Sequence, residues 1–268
     1  MRILLSILIA TAMACSRNPS RDSQERLIFR DANGRELSTK DLRGVSGKAN
    51  YEVVGVRDVP DAAMRLHEAG RRAGAAGRYD DALTALAQAH ELAPTWPYPL
   101  YDTAWTYLLI GDATRAEEKY SEVDKLAPRG FFTTKTALDC LRRERKGEIG
   151  PGAYKVFVLL ESRSASEKKE VLNALLKKWP RFPAAWKELS TLLDDDVGQL
   201  AAIEKGLAYD PDGETQGILL LNKALALNRQ GKKNEAVAML GTLALDPQST
   251  LGTETLAKFT LLQITSGK

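Results

Sequence analysis

Apolar side chains recur with two different spacings along the chain, and the change falls near residue 60. Before it, short stretches alternate, so that Leu27 and Phe29 share one face, as do Tyr51 and Val53. Alternation of this kind predicts short β-strands. After residue 60 the apolar positions recur every three or four residues, as at 171–176, and this spacing predicts amphipathic helices.

The strand candidates all lie within residues 25–57. Asn33 and Gly34 provide a hairpin turn signal between them, because both residue types tolerate positive φ. Residues 35–37 are expected to form the return strand, and residues 38–42 a capped helical turn. Three short strands bury little surface by themselves, so we expect this β segment to pack against the first helices.

Landmark residues in the helical part recur with a period of 34 residues. Gly77 and Gly111 are separated by this distance, and so are Pro94 and Pro128. Gly can end a helix in the left-handed conformation and Pro cannot continue one, so each period predicts two helices joined by a turn. The second helices carry matching small and large residues: Ala82, Leu86 and Ala89 in the first unit, and Ala116, Tyr120 and Val123 in the second.

This period and these residue types resemble the tetratricopeptide repeat (TPR). The resemblance implies a mainly α fold, a right-handed helical-repeat solenoid, here with a small N-terminal β segment. Residues 61–130 match as two clear units. Residues 131–248 predict degenerate TPR-like units, since "GKKNEA" at 231–236 parallels "GRYDDA" at 77–82. Residues 249–264 predict a capping helix that covers the end of the solenoid.

The first residues of the chain predict export. Arg2 precedes an apolar stretch at 3–10 and small residues up to Ala14, which is the layout of a secretory signal peptide over residues 1–14. The stretch is shorter than the about 20 apolar residues of a membrane span. Cys15 follows as in the lipobox of bacterial lipoproteins, a resemblance that implies lipidation at this Cys. Ordinary cleavage that leaves a free thiol is the alternative.

The residues after the cleavage site predict where the protein resides. Residues 15–24 are polar and rich in Ser, and predict a flexible tether. Ser16, where resembling lipoproteins of the inner membrane have Asp, implies an outer-membrane anchor with the protein facing the periplasm. Cys140 is the other Cys of the chain, so we expect no internal disulfide and a small buried residue at 140.

Charge and motifs indicate no catalytic centre. The formal net charge is +3, so no strong field indicates nucleic acid as a partner. The two histidines, His67 and His90, lack metal-ligand spacing, and the sequence contains no phosphate loop or nucleophile elbow. We therefore expect no enzyme, no cofactor and no metal. Because carboxylates are numerous, an envelope hydrolase that cleaves glycan or peptide with a pair of acids is the alternative.

The candidate site is the concave groove that the TPR resemblance implies. In that family, the second, fifth, ninth and twelfth positions of each first helix point into the groove. Here they predict a peptide-binding site with aromatic and charged side chains: His67, Arg71, Tyr98, Tyr101, Trp105, Lys135, Asp139 and Arg142. Aromatic residues would bury apolar side chains of a protein or peptide partner, and basic residues would meet its carboxylates.

Two alternatives to an open groove follow from the same residues. Tyr98, Tyr101 and Trp105 could instead pack within the protein, against the β segment or a neighbouring helix. In a purely structural subunit, the N-terminus of the chain itself would fill the groove. The partner expected for an open groove is a component of a cell-envelope assembly.

Overall fold

The computed structural model describes residues 26–30, 50–54 and 59–265, the first two ranges by their backbone. These two ranges are the strands β1 (Arg26–Arg30) and β2 (Asn50–Val54). They pair antiparallel, with Ile28 opposite Glu52. β1 runs close to the last helix of the chain, whereas the sequence leads us to expect packing of the β segment against the first helices.

Several expectations from the sequence concern residues outside the described ranges. They are the signal peptide at 1–14, the tether at 15–24 with Cys15, the turn at Asn33 and Gly34, and the elements at 35–42. These features therefore stay predictions.

Residues 59–265 are almost entirely helical, as the spacing of apolar positions predicts. They form α1 (Asp61–Ala75), α2 (Tyr79–Leu92), α3 (Pro97–Ile110), α4 (Ala113–Leu126), α5 (Thr134–Arg145), α6 (Ala153–Val158), a 3-10 turn (Leu159–Ser162), α7 (Ala165–Lys178), α8 (Pro183–Leu192), α9 (Asp196–Ala208), α10 (Gly213–Arg229), α11 (Lys233–Leu245) and α12 (Leu251–Thr265). Among the described helices, none has the length and apolar character needed to cross a membrane.

Three helical hairpins share the landmarks of the repeat. The pairs α1/α2, α3/α4 and α10/α11 each turn at a glycine with positive φ, and each second helix carries an alanine without exposed surface. The glycines are Gly77, Gly111 and Gly231, and the alanines are Ala82, Ala116 and Ala236. Residues 77–82 and 231–236 therefore resemble each other in structure as well as in sequence. A fourth hairpin, α8/α9, lacks the glycine turn.

Small residues allow the helices of a hairpin to approach closely. A Cβ atom at Gly70 of α1 would lie 2.8 Å from Leu86 Cγ of α2, which is closer than carbon atoms can pack. At the C-terminal end, a Cβ at Gly217 of α10 would lie 2.0 Å from Thr253 Oγ1 of α12. Both crossings therefore require glycine.

The middle of the chain departs from the repeat. α5 ends before Gly147, whose φ of 72° is left-handed. Pro151 and Gly152 then interrupt the chain, and only the short α6 and the 3-10 turn follow in place of a full second helix. The ring of Trp179 fills the space beside Gly150, where a Cβ would lie 2.1 Å from the ring.

Two clusters of buried apolar residues form the core. The larger extends from α3 to α8 and includes Tyr120, Tyr154 and Phe182. The smaller lies between α10, α11 and α12, around Leu240.

The helices do not form a simple open row, because α5 contacts α10. In a simple solenoid each repeat contacts only its neighbours. Here Thr136 of α5 donates its backbone N–H to Glu214 of α10 at 3.1 Å. The backbone N–H of Leu251, at the start of α12, donates to the carbonyl of Arg129 at 2.8 Å. These contacts fix the third unit against the C-terminal units.

Candidate peptide-binding face

A histidine–carboxylate contact joins the first two units at their first helices. His67 Nε2 of α1 lies 2.7 Å from Asp102 Oδ2 of α3. Arg71 Nε, one turn further along α1, lies 3.6 Å from the same oxygen. His67 is buried, whereas Arg71 and Asp102 are partly exposed. The two first helices therefore present one continuous surface held by a shared carboxylate.

Aromatic rings continue this surface around the start of α3. The ring of Tyr98 lies 5.6 Å from that of Trp96 and 5.5 Å from that of Phe132, between ring centroids. Phe132 has a φ of 48°, in the left-handed region that disfavours residues other than glycine. Its ring also packs edge-on against Phe131 at 4.6 Å, and these contacts hold the strained conformation.

Tyr101 belongs to the core rather than to an exposed groove. Its side chain is 2% exposed, and its ring lies 5.6 Å from that of Tyr120. The hydroxyl lies 2.9 Å from Thr133 Oγ1, so the loop before α5 covers the ring. The sequence-based placement of Tyr101 in an open groove is therefore wrong, and so is that of His67, which is 6% exposed.

The three candidates on α5 point to different neighbours. Lys135 Nζ lies 2.7 Å from Asp124 of α4. Arg142 is exposed and lies 3.7 Å from Glu117, also of α4.

Asp139 accepts a hydrogen bond of 2.7 Å from Arg143 Nε, and burial raises the pKa of its carboxyl although this bond opposes the shift. Asp139 therefore serves the contact of α5 with the C-terminal units, and it is not part of the surface on α1 and α3.

A smaller site remains on α1 and α3, formed by the accessible candidates Arg71, Tyr98 and Trp105 together with Met64 and Asp102 of the same helices. We call Met64, Arg71, Tyr98, Asp102 and Trp105 the first-helix face. All five are partly exposed. Met64 and Arg71 are seven residues apart on α1, and Tyr98 and Trp105 are seven apart on α3, so each pair lies on one side of its helix. The face can bury apolar side chains and offers one ion pair to polar groups.

Asp102, which contacts both His67 and Arg71, is not among the site residues that the sequence predicts. No sequence signal connects an acid in one unit to His67 and Arg71 in the preceding unit, since the contact depends on how the two units stack. Pro97 and Pro99 lie in the first turn of α3, where proline does not remove a hydrogen bond of the helix.

A pair of partly buried acids, Asp212 and Glu214, lies where α5 meets α10. Asp212 Oδ1 accepts from the backbone N–H groups of Glu214 and Thr215, at 2.9 and 3.0 Å, and so caps α10. Burial, with Asp212 nearby, raises the pKa of Glu214 to about 8. A Cβ at Gly130 would lie 3.1 Å from Glu214 Oε1. Glu214 Oε1 and Asp212 Oδ2 are buried, and the other oxygen of each carboxyl accepts hydrogen bonds within this junction.

An open depression of about 440 Å³ lies at the turn between α11 and α12, lined by Arg129, Leu245, Glu254 and Lys258 among others. The hydrogen bonds from Lys258 and Arg129 lower the pKa of Glu254, which makes this acid a poor proton donor. Within the described residues, no three His, Cys, Asp or Glu side chains are placed to hold a metal ion.

Cys140 is buried on α5, with 1% of its surface exposed, as the sequence predicts. Burial raises the pKa of its thiol well above the ordinary value. A thiol in this state is a poor nucleophile.

Comparison with known proteins gives weak likenesses to repeat structures. MamA from Desulfovibrio magneticus RS-1, from residue 41 to its end, is 18% identical over 69% of this chain and 94% of its own, with a TM-score of 0.34. A thermophilic TPR protein of Thermus thermophilus is 21% identical over 75% of this chain and 100% of its own, with a TM-score of 0.32.

The flexible tandem repeat domain of a bacterial cellulose synthase component is 18% identical over 73% of this chain and 98% of its own, with a TM-score of 0.47. No protein-family model and no curated protein sequence matches the chain. The assignment therefore rests on the chain's own geometry: three hairpins with the same glycine turn and buried alanine make it a TPR-like helical-repeat protein.

Proposed function

We propose that this protein is a non-catalytic scaffold that binds a protein or peptide partner on the first-helix face. The observation that carries the proposal is the continuity of this face across α1 and α3, where Asp102 links His67 and Arg71. A partner that lies across both helices would contact Tyr98, Trp105 and the ion pair at once.

The chemistry of the face supports a protein partner. Partly exposed aromatic residues and Arg supply much of the binding free energy in protein interfaces. Tyr98 is already fixed by its ring contacts, so little conformational entropy is lost when a partner binds. The Arg71–Asp102 pair can exchange with polar groups of a partner, since both side chains are partly exposed and Arg71 Nε lies 3.6 Å from the carboxylate.

The scaffold would act in the cell envelope, exported by the signal peptide at 1–14 and anchored through a lipid on Cys15. The apolar stretch at 3–10, the small residues before Cys15 and Ser16 after it support an outer-membrane lipoprotein that faces the periplasm. The formal net charge of +3 favours protein over nucleic acid as the partner.

Crosslinking in the source cells, followed by affinity capture, tests the proposal. The site variant combines Arg71→Ala with Trp105→Ala. The matched control combines Arg65→Ala with Leu92→Ala, which removes one cation and one large apolar side chain from exposed positions of α1 and α2. Wild type and control should capture the same defined envelope proteins, and the site variant should capture at least about tenfold less, the loss expected when a central interface residue is removed.

Folding must be separated from binding, because Trp105 also packs against the core. The variant Arg71→Glu changes only a partly exposed side chain and reverses the charge beside Asp102. It should melt at nearly the wild-type temperature and still lose the partner. Equal capture by wild type, control and both site variants, or no specific capture by any of them, would show that the face is not a docking site.

A further inference from the structure

The segment between α7 and α8 concentrates cations and tryptophans. Residues 177–187 contain four cations and two tryptophans and no acid. Trp186 Nε1 donates to the carbonyl of Pro180 at 2.7 Å, so Trp186 folds back to the residue that follows Trp179. We call Lys177, Lys178, Trp179, Arg181, Trp186 and Lys205 the basic–aromatic patch.

Both rings of the patch carry an ammonium group over one face. Lys178 Nζ lies 4.5 Å from the centre of the Trp179 ring, and Lys205 Nζ of α9 lies 4.7 Å from that of Trp186. Cation–π contacts of this kind keep both groups together at a surface. The patch therefore presents charge and aromatic surface side by side.

Most of the positive charge of the patch is not paired with acidic side chains of the protein. Lys177, Lys178 and Lys205 are exposed and have no acidic partner within 4 Å among residues 59–265. Arg181 is 61% exposed and lies 3.7 Å from Glu148, which already accepts a hydrogen bond of 3.0 Å from Arg143.

The two rings are fixed in place by close backbone contacts. Trp179 packs on Gly150, where a Cβ would lie 2.1 Å from the ring. The Cβ of Trp186 lies 3.2 Å from where a Cβ at Gly206 would stand. Because both rings are half-buried and held, the patch can bind without ordering them first.

We propose that the basic–aromatic patch docks on the surface of an anionic phospholipid bilayer. Lys and Arg side chains near an anionic leaflet each strengthen binding by about fivefold. Tryptophan prefers the headgroup region of a bilayer, and both rings of the patch are partly exposed. Long Lys side chains can bury their methylenes while the ammonium groups stay at the phosphates.

A bilayer fits the patch better than a single-stranded nucleic acid does. Proteins that bind such strands stack bases on open ring faces, but here Lys178 and Lys205 cover faces of both rings. A lipid on Cys15 would hold the chain near a membrane, and the patch would then orient the folded part upon it. The inference does not depend on the first-helix face, which lies on α1 and α3.

Sedimentation with vesicles tests the patch in the full chain carrying Cys15→Ser, so that no lipid is attached. The patch variant is Lys177→Gln/Lys178→Gln/Lys205→Gln. The control, Lys125→Gln/Lys146→Gln/Lys233→Gln, removes the same charge from exposed lysines elsewhere. On vesicles of phosphatidylcholine with about one-third phosphatidylglycerol, the patch variant should bind at least about tenfold more weakly than wild type, and the control should stay within about twofold of wild type.

Quenching of tryptophan fluorescence by brominated lipids measures the contribution of the tryptophans. This quenching should be strong in wild type and in the control, and it should be lost in the patch variant. The proposal is overturned if wild type does not prefer anionic vesicles, or if patch variant and control weaken equally, since net charge would then explain binding. It is also overturned if the patch variant loses affinity for soluble heparin but not for vesicles, which would indicate an anionic polymer. Loss of partner capture by the Arg71→Glu variant tests the proposed scaffold separately.

Discussion

The protein around Glu214 strongly changes the pKa of its carboxyl. Its carboxyl accepts from the backbone N–H of Thr136 at 3.1 Å, while its other oxygen, Oε1, is buried without a hydrogen-bond partner among the described residues. Desolvation raises the pKa of Glu214 to about 8 from 4.5, and Asp212 acts in the same direction. The folded protein therefore holds a proton on Glu214 at neutral pH.

This proton makes stability depend on pH. Between about 4.5 and 8 the folded protein binds a proton that the unfolded chain has released, so the contribution of Glu214 to stability is lost as the pH rises through this range. The slope from one proton is at most about 1.4 kcal/mol per pH unit. Urea denaturation of wild type and Glu214→Gln at several pH values should show this difference in slope.

The matched control for that prediction is Glu118→Gln, which changes a glutamate on α4, away from the contact of α5 with α10. Its pH dependence should parallel that of wild type. If Glu214→Gln also parallels wild type across the neutral range, Glu214 is ionised in the folded protein and the assignment of its proton is wrong.

Two helices can cross closely where glycine leaves room for the neighbouring helix. Gly217 lies inside α10, facing Thr253 of α12, and a Cβ there would lie 2.0 Å from Thr253 Oγ1. Gly241 lies inside α11, with no side chain or other backbone within 4 Å of its ideal Cβ position among the described residues. The two glycines have the same helix propensity but opposite packing environments.

Substitution by alanine should therefore have opposite effects at the two positions. Gly217→Ala should push α12 away from α10 and destabilise the protein by about 1 to 3 kcal/mol. Gly241→Ala should stabilise it by about 0.5 to 1 kcal/mol, since alanine restricts the unfolded chain and suits a helix. Chemical denaturation measures both, and equal effects of the two substitutions would contradict the crossing geometry.

At the scale of the whole molecule, one buried arginine joins the third unit to the C-terminal units. Arg143 is 7% exposed and donates to Asp139 at 2.7 Å and Glu148 at 3.0 Å. Its Nη2 group donates to the carbonyls of Tyr209 and Asp210, at 3.0 and 2.8 Å. The guanidinium thus reaches both local acids and the loop before α10.

Removal of Arg143 should weaken the contact between the third unit and the C-terminal units. Arg143→Ala removes the shared donor of the partly buried Asp139 and Glu148 and of two backbone carbonyls, and should cost about 2 to 5 kcal/mol. Hydrogen exchange should rise in α5 and near Tyr209 more than in α1 and α2. Arg145→Ala, which removes an exposed partner of Glu117, should cost less than about 1 kcal/mol. Uniform exchange changes across the protein would show that Arg143 does not act at this junction.

The sequence by itself determined the local elements of this protein. Helix ends follow from residues whose conformations are restricted, so Gly77, Gly111 and the prolines 34 residues apart mark the hairpins without knowledge of the tertiary structure. The burial of Ala82 and Ala116 followed from the same period. The parallel at 231–236 was sufficient to place a third hairpin of the same kind.

Only the tertiary structure decided which candidate residues are accessible. Positions taken from the TPR pattern assume an open face, but the loop at 131–133 covers Tyr101, and Asp102 takes His67 as a partner. Polar contacts between α5 and α10 join residues that lie up to 79 positions apart in the sequence. Such contacts leave no period in a sequence, because they depend on how whole units stack rather than on the conformation of neighbouring residues.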